Sequence, residues 1–200
     1  LCGMRGEKNE MMKHLKNAIK INPDFPEAHS NLGMILTEQG KIDLAIDYCR
    51  KAIKLKADFP EAYNNLGFAF SEKGDLNAAI SSYKKAITLR ADYLDAHYNL
   101  GYALLKQDQL VDSISSLQQV IKLKPDYPAA HNNLGYALRG QGKCTVAIAS
   151  FQQAIQLKPD YPEAHNNLGI SLQAQGAINA AIPSFQKAIQ LKPDYPEAHY

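Results

Sequence analysis

The chain has 200 residues, 22 basic against 20 acidic side chains, and a net charge of +2. With 46% hydrophobic and 21% charged residues it has the composition of a folded globular protein, not of a disordered chain. The near balance of charge argues against a nucleic-acid binder, and no apolar run is long enough to span a bilayer. No signal-peptide pattern follows Leu1. Cys2, Cys49 and Cys144 are too far apart for a zinc site and read as reduced thiols of a cytosol-like compartment.

A fixed period organises everything else. Ala-His-Ser-Asn-Leu-Gly stands at 28–33, and near copies follow at 62–67, 96–101, 130–135 and 164–169. Ala-His-Tyr closes the chain at 198–200. The step is 34 residues each time. Five complete units run 26–59, 60–93, 94–127, 128–161 and 162–195. Residues 1–25 read as the second half of an earlier unit, and 196–200 as the start of another. The last two complete units agree at 23 of 34 positions.

Each unit predicts two helices. The first follows Asp-Tyr-Pro, as at Asp126-Tyr127-Pro128, with Pro in the first turn and the Asp as an expected N-cap. Where Glu follows the Pro, as at Glu163, it is expected to complete a capping box. Leu134, Ala137 and Leu138 then fall at i, i+3, i+4. Gly40, Gly74, Gly142 and Gly176 mark the turn; Asp108 takes that place in the third unit, where a less regular turn is expected. The second helix carries Ala147, Ile148, Phe151, Ala154 and Ile155 at helical spacing. It ends at Lys-Pro-Asp, since the residue before Pro is pushed out of the helical region. Pro183 is expected to disturb its helix unless it lies in the first turn.

Inside the first helix, Gly33, Gly67, Gly101, Gly135 and Gly169 each cost up to about 1 kcal/mol against Ala. A close approach of the second helix accounts for them, with Ala45, Ala79, Ala147 and Ala181 as the expected facing surface. The Leu just before each Gly, from Leu32 to Leu168, is a core candidate.

Leu-Gly in the first helix, Gly at the turn, Ala-x-x-x-large-x-x-Ala in the second helix and a terminal Pro resemble the tetratricopeptide repeat (TPR) over the whole chain. His29, Tyr63, His97, His131, His165 and His199 stand where the family has Trp, and Ala57 and Ala91 replace the terminal Pro. The resemblance implies an all-α solenoid: a right-handed superhelix of antiparallel helix pairs, with first helices lining the concave side.

The sixth position of every complete unit is Asn: Asn31, Asn65, Asn99, Asn133 and Asn167. Asn gains nothing inside a helix, but its amide offers donors and an acceptor. Such a row could pair with successive peptide groups of an extended chain. The same amides could instead bond to neighbouring helices. Met34, Phe68, Tyr102, Tyr136 and Ile170 hold the ninth position, and Tyr98 stands nearby. They are expected either to form an aromatic floor beside the amides or to pack between repeats. Glu38 and Glu72, then Lys106 and Arg139, change the sign of charge along this face. An early preference for basic ligand segments and a later one for acidic segments would follow. The Lys and Arg set of a TPR carboxylate clamp is lacking at the fifth, sixth and ninth positions.

The histidines recur one per unit, and a column of that kind does not converge on an ion, so no metal is expected. No nucleophilic triad or phosphate loop stands out, so neither an enzyme nor a cofactor is expected. The leading expectation is a scaffold that binds a protein or peptide, with no nucleic acid and no membrane. The repeats also resemble the TPR region of O-linked N-acetylglucosamine transferases and bacterial multi-repeat proteins, which implies substrate recruitment within a larger transferase. A third expectation is end-to-end self-association through apolar end faces.

Overall fold

The computed structural model describes residues 2–193, with side chains from residue 9 onward. The expected unit start at 196–200 and His199 lie outside the described residues. The described residues form eleven α-helices and no strand. α1 is Cys2–Ile21; the pairs are α2 (Pro26–Glu38) with α3 (Ile42–Leu55) and α4 (Pro60–Lys73) with α5 (Leu76–Leu89), and α6 (Leu94–Lys106) and α7 (Leu110–Leu123) follow in the chain. Then come α8 (Pro128–Gly140) with α9 (Cys144–Leu157), and α10 (Pro162–Ala174) with α11 (Ile178–Leu191). No helix among the described residues is long and apolar enough to cross a membrane.

The chain divides into two compact units, Leu1–Ala103 and Leu104–Tyr200. In the first unit α2 packs on α3, α3 on α4 and α4 on α5, and α2 also meets α4. In the second, α7 packs on α8, α8 on α9, α9 on α10 and α10 on α11. A helix pair cannot cover its own apolar face, and the neighbouring pair does so. Leu32, Leu66, Leu100, Leu134 and Leu168 are all buried, each stabilising the fold by about 1.5–3 kcal/mol.

The glycines of the first helices do meet the second helix closely, but the facing group is larger than expected. A Cβ on Gly67 would lie 2.6 Å from the Tyr83 ring, one on Gly135 2.7 Å from Phe151, and one on Gly169 2.6 Å from Phe185. In the first repeat Cys49 takes the ring's place, with its Sγ 2.5 Å away and the Ala45 carbonyl at 3.1 Å. There the expected Ala is among the groups nearest the Gly, through its backbone. The Gly makes room for a ring four residues beyond that Ala.

Three local expectations are corrected. Helices α2, α4, α8 and α10 have Phe25, Phe59, Tyr127 and Tyr161 at the N-cap position, and none of these N-termini has a side-chain cap. The Asp falls one residue too early, and backbone carbonyls of the aromatic residues take the first amides. The turn at Asp108 is regular: at φ 58° it enters the left-handed region that Gly142 and Gly176 also occupy, and Gln109 N–H meets the Leu104 carbonyl as Lys143 N–H meets that of Leu138. Asp tolerates that region better than most residues. Pro183 is the sixth residue of α11, beyond the first turn, yet the helix is continuous. Pro183 and Asn179 are both exposed, so water can serve the carbonyl that loses its donor.

Candidate functional site

Three of the sixth-position amides, those of Asn65, Asn99 and Asn167, turn toward the preceding repeat. In the first unit Asn65 Nδ2 donates to Ser30 Oγ at 3.0 Å and to its carbonyl at 3.3 Å, and Asn99 Nδ2 donates to Asn64 Oδ1 at 3.1 Å. In the second unit Asn167 Nδ2 donates to Asn132 Oδ1 at 3.0 Å. Asn132 Nδ2 in turn lies 3.4 Å from Asn133 Oδ1. Sixth and fifth positions therefore tie successive first helices together. Asn65 is buried, Asn99, Asn133 and Asn167 are half-buried, and Asn31 is exposed. Asn166 is 3% exposed and its Oδ1 has no partner in the structure, although the equivalent Asn64 and Asn132 each accept one.

The ninth position stays open. Tyr102 in the first unit is 43% exposed and Tyr136 in the second 48%; Met34 is exposed too. Phe68, Tyr98 and Ile170 are half-buried. Glu38 and Glu72 are exposed on α2 and α4, and Lys106 on α6.

The second unit gathers three of the candidates. Arg139 stands over the Tyr136 ring, 5.0 Å from its centre, and its Nη1 donates to Asn167 Oδ1 at 3.4 Å. Burial pushes the Arg139 pKa below its ordinary value, against the field of Tyr136. A partly desolvated guanidinium on an aromatic face can stack on a further planar group or meet an anion.

The histidines have a structural task. Nε2 of His29, His97, His131 and His165 donates to the carbonyls of Pro23, Ala91, Pro125 and Pro159 at 2.8–2.9 Å. Each clips its helix to the connection before it. Ala91 serves as well as Pro, because only the carbonyl matters. No group of three or more potential metal ligands occurs among the described residues. The cations at the second-helix ends are also structural: Lys56, Arg90, Lys124 and Lys158 lie 4.4–5.6 Å from the rings of Phe59, Tyr93, Tyr127 and Tyr161. Lys56 pairs with Glu27 and Arg90 with Glu61. That cation–aromatic step three residues apart was readable in the sequence, since it recurs with the period.

Comparison with known proteins supplies the family. No curated protein matches the chain significantly. Among solved structures, MamA aligns with a TM-score of 0.76 at 28% identity over 84% of this chain and 98% of its own. MamA from Desulfovibrio magneticus RS-1 gives 0.79 at 24% over 86% and 97%. YrrB, a TPR protein with an unusual peptide-binding site, gives 0.79 at 23% over 92% and 95%, and at that identity shows the fold alone. Residues 8–134 match the family described as tetratricopeptide repeat protein 21 C-terminal ARM domain, 136–176 a TPR repeat and 162–195 a tetratricopeptide repeat. With the 34-residue period, the helix pairs and these matches in agreement, the chain belongs to the tetratricopeptide-repeat family.

Proposed function

We propose that this interaction scaffold binds an extended polypeptide along the open faces of its first helices, with ninth-position rings as floor and sixth-position amides beside them. The observation that carries the reading is the cluster of Tyr136, Arg139 and Asn167. A half-exposed ring, a guanidinium stacked on it and an amide stand together on α8 and α10. Aromatic and Arg side chains supply much of the binding energy at protein interfaces.

The amides enter in a narrower role than a free ladder. With Nδ2 engaged by the preceding repeat, what an Asn offers a peptide is its remaining N–H or its Oδ1. Asn31 in the first unit and the half-buried Asn99, Asn133 and Asn167 are the members within reach of a ligand. The scaffold has no chemistry of its own in this reading.

The test is binding of a random peptide library, displayed on beads, to the wild-type chain and to Tyr136→Ala and Arg139→Ala. Enriched peptides should bind the variants at least tenfold more weakly, at unchanged helicity. Equal binding by both variants would remove this face from the function.

A further inference from the structure

The fifth repeat carries an open groove separate from the first-helix face. Its pattern is set by the first. There, the ring of Tyr48 on α3 stacks on the imidazole of His29, with centroids 5.6 Å apart and planes inclined by 29°. His29 makes a firm shelf because its Nε2 is fixed on the Pro23 carbonyl at 2.8 Å.

The fifth repeat builds the same shelf. His165 Nε2 sits on the Pro159 carbonyl at 2.9 Å. At the place of Tyr48, however, the sequence has Ser184. The space left is an open groove of about 380 Å³ between α9 and α11, with α10 beneath. Ile155, Leu168 and Pro183 give it apolar walls; His165 and Ser184 line it, and Lys187 stands at its edge. That volume lies within the range of about 300–1,000 Å³ that small ligand pockets span.

Two further observations point to a ligand. Ser82, Ser116 and Ser150, at the same place in α5, α7 and α9, each turn their hydroxyl onto the carbonyl four residues back at 2.8–3.1 Å. Ser184 is only 9% exposed, yet its hydroxyl makes no such bond. The groove also has one sign of charge. Lys187 Nζ rests on the neutral amide of Gln190 at 3.1 Å, and no lining residue is acidic.

We propose that this groove receives an aromatic side chain from an acidic segment of a partner polypeptide, with the ring on His165 and a flanking carboxylate on Lys187. The ring repeats what Tyr48 does within the chain, and the Ser184 hydroxyl is placed to meet a phenol. On α10, His165 and Asn167 are two residues apart, about 200° around the helix axis, so this site is distinct from the Tyr136 face.

The probe is the peptide Ac-Asp-Tyr-Asp-NH2, titrated into the ¹⁵N-labelled chain. Saturable shifts are expected at Ser184, Lys187 and the His165 ring, with cross-relaxation from the probe ring to His165. Ac-Asn-Tyr-Asn-NH2 should bind about two- to fivefold more weakly, the range of an exposed ion pair. Lys187→Gln should abolish that difference. Ser184→Tyr, which supplies the ring from within, should abolish binding of both peptides. If Ser184→Tyr does not fold, the exposed Lys187 position still decides the matter. Shifts centred on Tyr136, no saturable shift, or equal binding of both peptides to the wild-type chain would overturn the proposal. None of these last results bears on the library experiment for the first-helix face except the first, which would support that face instead.

Discussion

The side-chain nitrogen of Asn167 stands 3.0 Å from the side-chain oxygen of Asn132, a residue 35 positions earlier. Thirty-five is one repeat plus one residue, so Asn167, at a sixth position, reaches the fifth position of the repeat before it. The same offset joins Asn99 to Asn64 and Asn65 to Ser30. This explains why a poor helix former recurs in the middle of these helices. Removing its donor strands an acceptor inside the contact between two first helices.

Replacing Asn167 by Ala therefore leaves the buried Asn132 oxygen without its donor and takes away the acceptor of Arg139. A loss of about 1–3 kcal/mol is expected. Asn31→Ala, at an exposed position, should stay within about 0.5 kcal/mol of wild type. Urea denaturation followed by circular dichroism distinguishes the two. Equal stability of both variants would show that the inter-repeat bond contributes nothing.

Gly67 tests the packing of helix on helix. A methyl group there meets the Tyr83 ring at 2.6 Å, and the ring is fully enclosed. Gly67→Ala should cost about 1–3 kcal/mol through overpacking, beyond any gain in helix propensity. Gly67→Ala with Tyr83→Leu should recover part of that loss, because the smaller side chain gives way. Gly74→Ala works by another route. No atom lies within 4 Å of its added Cβ, but φ is +86°. It should lose about 1–2 kcal/mol from strain alone, with no rescue by Tyr83→Leu.

The repeat length, the helix pairs and the buried Leu positions were legible because periodicity needs only one chain and no partner information. Helices α2, α4, α8 and α10 start at Pro26, Pro60, Pro128 and Pro162, where the proline marks a first turn in the sequence itself. What was hidden depends on groups from elsewhere. The direction of the Asn65, Asn99 and Asn167 amides is set by a residue one repeat away. The partner of Gly67, Gly135 and Gly169 is a ring four residues past the Ala that sequence pattern singled out. The helix starts went uncapped because a single residue separates the Asp from the N-cap position, and local pattern does not resolve that shift. Asp108 hid the turn because it is not Gly, though it adopts the same conformation.

The pair of Glu61 and Arg90 links stability to pH. Burial alone would raise the Glu61 pKa. The hydrogen bond and charge of Arg90 outweigh it and hold the carboxyl below its ordinary value of 4.5. A carboxyl lowered in the folded state binds fewer protons there than in the unfolded chain. It stabilises the fold above its unfolded pKa, and that stability is lost as pH falls through the folded value. Both side chains are about two-fifths exposed, so the effect is small and screened by salt. Arg90→Met should lower the melting temperature at pH 7 in low salt, and the difference should shrink as pH falls below about 4.5. A difference unchanged at pH 3 would assign the loss to Arg90 packing on Tyr93 instead, 4.4 Å away.

Cys49 and Cys144 should part company in their reactivity. Cys49 lies in the core of the first unit against Gly33, and burial pushes its thiol up to about 12. Only the thiolate attacks an alkylating agent, so at pH 8 about one molecule in ten thousand would present it, even if the reagent could enter. Cys144 opens α9 and is half-buried. With iodoacetamide at pH 8, Cys144 should react at least tenfold faster than Cys49, as read by peptide mass spectrometry. Cys49 should become reactive only across the urea unfolding transition. Its labelling rate then reports opening of the α2–α3 pair, and equal native rates for the two thiols would mean that this pair is not closed around Cys49.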